Sequence, residues 1–530
     1  MTLAFDVQIL QTAAFDRGMG RYTASLLQAL GAAHRGASDI EFILNKNLDV
    51  SRERMRYIRG LIPGAKLTTL DLPVDLGENH IAQREEARNI LSRHFSAYRS
   101  KVDFVMMAPF FVGFASAFPD LPTVRKHAIV YDFIPYRIWH KQRIFPDDMY
   151  FGHFGELLRA DMLFCISQAV RNDLVHIFGF EPERTATIDG GSFEVKAPKK
   201  KVPAGVKRPY LIYPSAPIIH KNNHNAIRGF ELFNAKHAGK YQLVITSSFN
   251  QQQQQELAAL SDGVVFTGNV TNDELYNLYE HADGLLFASY AEGLGMPILE
   301  AIGHGIPVAC SNIPVLREMV GTAAYVFSPT KPRSIADALQ TMVEDDHFAD
   351  KKRQYAAILQ KYTWERSAKA LMSGVKALRP VARKPIGRLR VYVYDSVNRS
   401  SAVESRLLQL LYAGLSRRFD VEPVYADGFA RLLRGKSQPS YVPHVPATEE
   451  DAADRHFVLR MATAPAIGRS RKVALKLSEE GGRGSGNQAT VRLRVRRVDI
   501  DAPLGLRDWQ LVDGNPNDVV GALMRQIGEG

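Results

Sequence analysis

The feature that most constrains this chain is a pattern that occurs twice, in which short apolar runs alternate with amphipathic helical segments. The first series of strand candidates is LAFDVQIL, IEFILN, FVMMAPFF, HAIVYDFI, MLFCIS and TATID. A second series, YLIYPSA, YQLVITSS, GVVFTGN, GLLFASY, IPVACSN and AAYVFSP, follows the Pro- and Lys-rich segment KAPKKKVPAGVKRP. Strands that alternate with helices predict βαβ units and largely parallel sheets. We therefore expect two α/β domains joined by a linker, with a ligand cleft between them.

A chain of 530 residues is too long for one core and predicts two or three domains. The pattern places an N-terminal domain at 1–195, a linker at 196–209 and a second domain at 210–378. Residues 379–530 form an additional region, partly linker, which we predict to be α/β or irregular and to which the sequence assigns no function. The run QQQQQ at 251–255 predicts an exposed helix face.

Composition indicates a soluble globular protein, since 45% of residues are hydrophobic and 23% charged. No apolar run reaches the length of about 18 residues that predicts a membrane-spanning helix. The N-terminus, MTLAFDVQIL, lacks a basic segment and is not expected to be a signal peptide. Cys165 and Cys310 each lie in an apolar strand candidate, which predicts buried thiols in a reducing cytoplasm.

The net charge of +11 predicts a polyanionic partner, which charge alone does not identify. A phosphorylated substrate and an anionic membrane surface both fit. One helical segment combines arginines with apolar residues and predicts either peripheral membrane contact or a solvated helix: Arg52, Arg54, Met55, Arg56, Ile58, Arg59 and Ile62. In VRLRVRRVDI the alternating arginines predict a soluble edge strand, so nucleic acid is not an expected partner.

The most informative segment is FASYAEGLGMPILEAIGHGIPV. An apolar strand ends in a turn with Glu292, and Gly293-Leu294-Gly295 leads into a helix that carries Glu300. Glycines allow a backbone to approach a ligand closely, and a helix N-terminus offers free N–H groups to an anion. An ionised carboxylate only accepts hydrogen bonds, so it suits the two hydroxyl donors of a ribose.

This segment resembles the glycosyltransferase family 4 group of GT-B enzymes, whose signature has the form EGFGLPxxEAxxxGxPV. The resemblance implies a GT-B fold of two facing Rossmann-like domains with a central cleft, the first for the acceptor and the second for a nucleotide sugar. It implies that Glu300 binds the ribose and that the backbone of Gly293, Leu294 and Gly295 meets the diphosphate. Glu292 would lie near the transferred sugar as a catalytic candidate.

A second segment, YLIYPSAPIIHKNNHNAIRGF, contributes Ser215, His220 and Lys221. A lysine aimed into the cleft would neutralise a departing diphosphate, whose charge grows as the glycosidic bond breaks. We therefore predict a catalytic role for Lys221. Related enzymes often carry Arg-Lys here, and His220-Lys221 resembles the HKN variant of O-antigen mannosyltransferase-like members. The sequence leaves the charge of His220 open.

Three weaker matches complete the predicted site. In DRGMGRYTASLLQAL, Gly18 and Gly20 resemble the family's glycine-rich loop, and the missing third glycine argues against a dinucleotide oxidoreductase. HAIVYDFIPYRI resembles an HDLIP segment with Tyr131 in place of histidine, so Tyr131 and Asp132 are candidates for sugar or acceptor contacts, Asp132 as a catalytic residue. The remaining match is a turn where family members contact the nucleobase: Gly268, Asn269 and Val270.

The expected reaction is metal-independent. The only D-x-D pair, Asp499-Ile500-Asp501, lies outside the matched region, so we expect neither a metal nor a cofactor. The resemblance implies retention of anomeric configuration and favours mannose from GDP-mannose over UDP-sugars. The acceptor would be a growing polysaccharide or a lipid-linked saccharide. Alternatives are a catalytically silent GT-B-like subunit that binds a nucleotide sugar, and an epimerase or phosphorylase of the same architecture.

Overall fold

The computed structural model describes residues 2–33, 37–74, 80–111, 113–135, 156–157, 159–177, 180–192 and 202–377, and six strands beyond residue 387. The chain divides into two compact units. The first consists of Met1–Ile144, Met162–Asp173 and Thr185–Leu378. The second consists of Phe145–Asp161, Leu174–Arg184 and Arg379–Gly530. Both sheets of the predicted α/β domains belong to the first unit.

The first sheet has seven strands in the order β3-β2-β1-β4-β5-β6-β7, and every neighbouring pair is parallel. The strands are β1 (Thr2–Asp6), β2 (Ile40–Asn45), β3 (Lys66–Leu70), β4 (Val102–Met106), β5 (Val124–Val130), β6 (Met162–Cys165) and β7 (Thr185–Thr187). Strands β2, β4 and β6 are fully buried and β1 and β5 largely so, as expected of a parallel sheet covered on both faces.

Helix α1 carries the glycine-rich segment of the first domain. One face of α1 is buried through Tyr22, Leu26, Leu27 and Leu30. Gly20 lies so close to the preceding turn that a Cβ there would be 2.4 Å from the carbonyl oxygen of Ala14. Gly20 is therefore required for packing of the helix. The described α-helices of this domain are α1 (Gly18–Ala33), α2 (Arg52–Leu61), α3 (His80–Ser96) and α4 (Gln168–Asn172).

The second sheet has six parallel strands in the order β10-β9-β8-β11-β12-β13. Its strands are β8 (Tyr210–Tyr213), β9 (Gln242–Ile245), β10 (Val264–Phe266), β11 (Gly284–Phe287), β12 (Val308–Ser311) and β13 (Tyr325–Phe327). Its helices are α5 (Asn223–Asn234), α6 (Gln251–Ala258), α7 (Asn272–His281), α8 (Met296–Gly303), α9 (Pro314–Val320), α10 (Pro332–Glu344), α11 (Phe348–Lys361) and α12 (Trp364–Ala377).

The last helix, α12, returns from the second series of elements to the first domain. The ring of Trp364 meets that of Tyr22 in α1 edge-on, with 4.9 Å between centroids. Further along α12, Gly374 lies against the ring of Phe164 in β6, where a Cβ would be 2.4 Å from the nearest ring atom. Aromatic contacts of this kind bury large apolar areas. Helix α12 is therefore packed on the first domain, although it follows the second series of elements in the chain.

The two predicted α/β domains are confirmed, and all twelve strand candidates of the two series form strands. The sequence missed β3, whose residues are only partly buried and show no apolar run. The glutamine run begins α6 as an exposed helix, with a capping box between Asn250 and Gln253. Both cysteines are buried and unpaired, and burial raises the pKa of each thiol. Of the predicted linker, residues 196–201 lie outside the described residues.

The described strands of the second unit form a mixed sheet in the order β15-β14-β16-β17-β18-β19. The sequence did not predict most of these strands. Strand β14 is parallel to β15 and β16, and the other pairs are antiparallel. The strands are β14 (Arg388–Val393), β15 (Asp420–Tyr425), β16 (His456–Thr463), β17 (Ser470–Glu480), β18 (Gln488–Arg497) and β19 (Trp509–Leu511).

One prediction for this region is wrong, and another cannot be compared with the structure. VRLRVRRVDI was expected at a sheet edge, but β18 lies between β17 and β19. Alternation reveals that a strand has two unlike faces, but it does not reveal how many neighbours the strand has. The D-x-D pair, Asp499 and Asp501, lies outside the described residues.

The arginine-rich helix α2 does not present an apolar face to its surroundings. Ile58 and Ile62 are buried in the core of the first domain, and Met55 packs against that core. Arg52, Arg56 and Arg59 lie on the exposed side, so α2 is an amphipathic helix, and its contact with an anionic membrane stays a prediction. Among the described helices, none combines the length and the apolar character needed to span a bilayer.

The contact between α5 and α10 predicts that two glycine-to-alanine substitutions change the free energy of unfolding in opposite directions. A Cβ at Gly229 would lie 2.5 Å from the Cβ of Ile335 and 2.9 Å from the carbonyl oxygen of Pro332. We expect Gly229→Ala to lower the free energy of unfolding by about 1–3 kcal/mol through overpacking. Gly60 in α2 has open space at its Cβ position. Gly60→Ala should therefore stabilise by about 0.4–1 kcal/mol.

Urea unfolding followed by circular dichroism measures both changes. Equal effects of the two substitutions would contradict the packing described between α5 and α10.

Candidate active site

Distant segments of the first unit meet at a cavity of about 250 Å³ between the two α/β domains. It lies beyond the carboxyl ends of β5, β8 and β11, where ligands of open parallel sheets bind. Nine of the residues singled out from the sequence line it: Gly18, Tyr131, Asp132, Lys221, Glu292, Gly293, Leu294, Gly295 and Glu300. Sequence reasoning did not select its other residues: Met19, Arg21, Tyr22, Ile134, Ile166, Met296 and Pro297.

An ion pair between Lys221 and Glu292 forms one wall of the cavity. Lys221 Nζ lies 2.6 Å from Glu292 Oε1, and their side chains are only 17% and 11% exposed. Burial by itself raises the pKa of Glu292, but Lys221, through its charge and hydrogen bond, outweighs it together with His220 and Ser289 and holds the pKa below its ordinary value. The ammonium group also lies 5.4 Å from the centre of the Phe287 ring. The site therefore holds a preformed, ionised pair.

The turn that carries Lys221 is fixed by its neighbour Asn222. A short 3₁₀ helix, Ile219–Lys221, ends at Asn222, whose φ of +62° is in the left-handed region that asparagine tolerates better than most residues. The Asn222 side-chain amide donates hydrogen bonds of 2.9 and 2.7 Å to the carbonyl oxygens of Ala288 and Pro329. Because Ala288 follows β11 directly, this bond ties the lysine turn to the strand that leads to Glu292.

His220 does not add a second positive charge near neutral pH. Its side chain is buried, and burial, assisted by the charge of Lys221, lowers its pKa to about 4. Within the described part of the chain, its Nδ1 atom is buried and has no hydrogen-bond partner. The His-Lys pair therefore supplies one cation, and His220 does not line the small cavity.

Asp132 faces this ion pair from the first domain. Its Oδ1 atom accepts a hydrogen bond of 2.9 Å from the N–H of Ile134. Burial raises the pKa of Asp132 to about 6, and the Glu292 carboxylate adds to the shift. Perturbed carboxyl groups in clefts are characteristic of functional sites.

The Tyr131 side chain contacts α1 of its own domain, and its carbonyl oxygen contacts the second domain. Its hydroxyl is 2.9 Å from the hydroxyl of Thr23 in α1, and its ring packs edge-on against that of Tyr22. A Cβ at Gly293 would lie 2.1 Å from the carbonyl oxygen of Tyr131. This position therefore needs glycine, because the two loops touch backbone to backbone.

Helix α8 begins at the cavity and carries Glu300. Gly295 precedes it with a φ of +98°, which favours glycine, and Pro297 lies in its first turn, where a missing N–H is tolerated. The Glu300 carboxylate is buried and receives hydrogen bonds from Arg21 Nη2 at 2.7 Å and from the Tyr279 hydroxyl at 2.8 Å. The sequence missed both partners, although Arg21 directly follows the glycine-rich segment.

Several predicted donor contacts do not line the small cavity: Gly20, Ser215, His220, Gly268, Asn269 and Val270. The Ser215 hydroxyl donates to the side-chain oxygen of Asn223. Asn269 accepts a hydrogen bond of 3.2 Å from the N–H of Ser248, and Gly268 has a φ of +71°. Helix α7, which follows this turn, contributes Asn272 and Tyr276 to a larger neighbouring cavity of about 970 Å³. Contact of the turn with a nucleobase stays a prediction.

Two α/β domains, each built on a sheet of parallel strands, that flank such a cavity define the GT-B class of fold. Solved structures with this fold include WaaG, a glycosyltransferase involved in lipopolysaccharide biosynthesis, with a TM-score of 0.50, 14% identity, and coverage of 71% of this chain and 100% of that chain. Sucrose-phosphate synthase from Thermosynechococcus elongatus matches with a TM-score of 0.52, 16% identity, and coverage of 71% and 98%. At this level of identity the likeness concerns the fold.

Residues 195–358, which include the second sheet, match the family model of glycosyl transferases group 1. The chain is 23% identical to the serotype-specific mannosyltransferase WbdA of Escherichia coli over 409 residues, 71% of this chain and 48% of WbdA. It is 26% identical to the O-antigen chain mannosyltransferase RfbU of Salmonella typhimurium over 200 residues, 36% of this chain and 54% of RfbU. The chain thus spans about half the length of these curated relatives.

The raised pKa of Asp132 predicts that a variant without this titrating carboxyl group is more stable at neutral pH. A carboxyl with a folded pKa of about 6 and an ordinary value of 3.8 stabilises the folded state at low pH, and this contribution is lost as pH rises between those values. Asp132→Asn keeps the Oδ1 acceptor and removes the titration. We therefore expect it to raise the free energy of unfolding at pH 7 by about 3 kcal/mol.

The increase in the free energy of unfolding caused by Asp132→Asn should fall to nearly zero at pH 4. Urea unfolding of wild type and variant at pH 7 and pH 4 measures it. A gain that is the same at both would show that the Asp132 carboxyl does not titrate as described.

Proposed function

We propose that this chain is a glycosyltransferase that transfers a hexose from a nucleotide sugar to a saccharide acceptor. The observation that carries the proposal is the grouping of the Lys221–Glu292 pair, the N-terminus of α8 and the buried Glu300 around one cavity. A nucleotide sugar requires hydroxyl acceptors for its ribose, positive potential at its diphosphate and a polar group beside its sugar. The cavity offers each of these in one place.

Lys221 and α8 would act on the leaving group. As the glycosidic bond breaks, negative charge grows on the diphosphate, and a preoriented cation stabilises this charge more than the starting state. The N-terminus of α8 adds a partial positive charge. Glu292 holds the lysine ammonium at 2.6 Å and would also orient the sugar. Because these groups can meet the charge of the diphosphate, we propose that the reaction needs no divalent cation.

The finer assignments rest on the donor motif and on the curated relatives. We propose retention of anomeric configuration, because the segment from Glu292 to Glu300 follows the retaining-family signature. Mannose from GDP-mannose is the preferred donor, in line with the HKN segment and with two relatives named as mannosyltransferases. We propose a growing polysaccharide or lipid-linked saccharide as the acceptor, and a cytoplasmic location.

A panel of GDP- and UDP-sugars tests this function. Purified protein is incubated with each donor in EDTA, with and without polysaccharide or lipid-linked acceptors, and release of nucleoside diphosphate is followed. We expect turnover of one donor that is indifferent to the chelator. Lys221→Ala and Glu300→Gln should each lower kcat/KM by about a hundredfold or more, the usual effect of removing a charge-stabilising or buried polar contact.

Lys236→Ala is the matched control, because Lys236 is an exposed lysine of the same domain. It should retain wild-type turnover. Binding of a nucleotide sugar without any release, with every acceptor added, would instead establish a catalytically silent binding subunit. Activity that EDTA abolishes would contradict the metal-independent mechanism.

A further inference from the structure

Arg21 lies where the two cavities of the first unit meet. It lines the small cavity together with Lys221 and Glu300, and it also lines the larger cavity beside Tyr276. Among the described residues that line the small cavity, Arg21 and Lys221 are the two cations. Arg21 belongs to α1 of the first domain, whereas Lys221 belongs to the second, so the cations approach the cavity from opposite sides.

While no ligand is bound, separating Arg21 from Glu300 is energetically unfavourable. The Glu300 side chain is 2% exposed, and its Oε1 atom accepts from Arg21 at 2.7 Å. Removing one partner of a buried ion pair leaves an uncompensated charge, which is strongly unfavourable. A ribose diol would change this balance, because its two hydroxyls donate to the same carboxylate. Release of Arg21 is therefore coupled to the arrival of a ribose.

The cavity needs the charge that Arg21 would then provide. A nucleoside diphosphate brings at least two negative charges into a site that already contains the carboxyl groups of Asp132 and Glu292. Lys221 is the cation on the side of the second domain, and it is paired with Glu292. His220 remains neutral near neutral pH because its pKa is lowered to about 4. A guanidinium group suits the task, since its fork of N–H donors matches phosphate oxygens.

We propose that Arg21 is a donor-binding residue. When the ribose hydroxyls bind the Glu300 carboxylate, the Arg21 guanidinium group leaves Glu300 and binds the diphosphate. This inference rests on the proposed function, because it assumes a nucleotide donor. It assigns the first domain a direct role in holding the donor. It also makes the ribose and the diphosphate bind cooperatively, since the hydroxyls that engage Glu300 free the cation that the phosphates require.

The test compares ligands with and without phosphates. Isothermal titration calorimetry measures the affinity of wild type, Arg21→Ala and Arg21→Gln for GDP and guanosine and for UDP and uridine. For the base that wild type prefers, we expect both variants to bind the diphosphate about tenfold or more weakly, the usual effect of losing a charge-assisted hydrogen bond. Nucleoside affinity should be unchanged or higher, because Glu300 is then available to the ribose.

Arg21→Gln retains a hydrogen-bond donor for Glu300 and removes only the charge, so it keeps the test valid if Arg21→Ala folds poorly. Arg17→Ala is the charge-matched control, since Arg17 is exposed, lies one helical turn away and lines neither cavity. A variant that weakens nucleoside and diphosphate binding equally would overturn the inference and leave a structural ion pair. Absence of binding of all four ligands by wild type would instead overturn the proposed function, and the inference with it.

Discussion

The arrangement of the site depends on the contact between Gly293 and the carbonyl oxygen of Tyr131. A Cβ at this position would lie 2.1 Å from that oxygen, so the loops after β5 and β11 can touch only because one of them carries glycine. Asp132 follows Tyr131 and Glu292 precedes Gly293. The backbone contact therefore forces two carboxyl groups into one small cavity. Their mutual repulsion contributes to the raised pKa of Asp132, and Lys221 keeps Glu292 ionised.

This crowding is unfavourable for stability and suited to ligand binding. Three carboxyl groups and two cations line the cavity, and each cation is already paired with a carboxylate. Buried ion pairs of this kind rarely add much to stability, because desolvation opposes the attraction between the charges. They do provide groups whose orientation is set before a ligand arrives. A ligand that brings both hydroxyl donors and anionic oxygens can satisfy carboxylates and cations in the same cavity.

Local sequence patterns predicted the two domains and half of the site. Apolar runs identified twelve strands, and the spacing from Glu292 to Glu300 placed both carboxylates at one cavity. The partner of Glu300 was not predictable, because Arg21 is 279 residues away and nothing local to either residue requires the other. The ligand role of Gly20 stays a prediction, and the close approach of the turn at Ala14 gives a packing reason for glycine at this position. Nor can alternating residues in a strand reveal its neighbours, which is why β18 was misplaced.

The contacts between the two α/β domains differ in how readily they can change. Glu318 in α9 accepts hydrogen bonds of 2.9 and 2.8 Å from the backbone N–H groups of Gln168 and Ala169, which begin α4 in the first domain. This contact and the one at Gly293 involve backbone atoms and are fixed by their elements. Arg21 and Glu300, in contrast, meet through a long side chain that can rotate to a new partner. The least costly response to a donor is therefore a rearrangement of Arg21, with both backbone contacts kept.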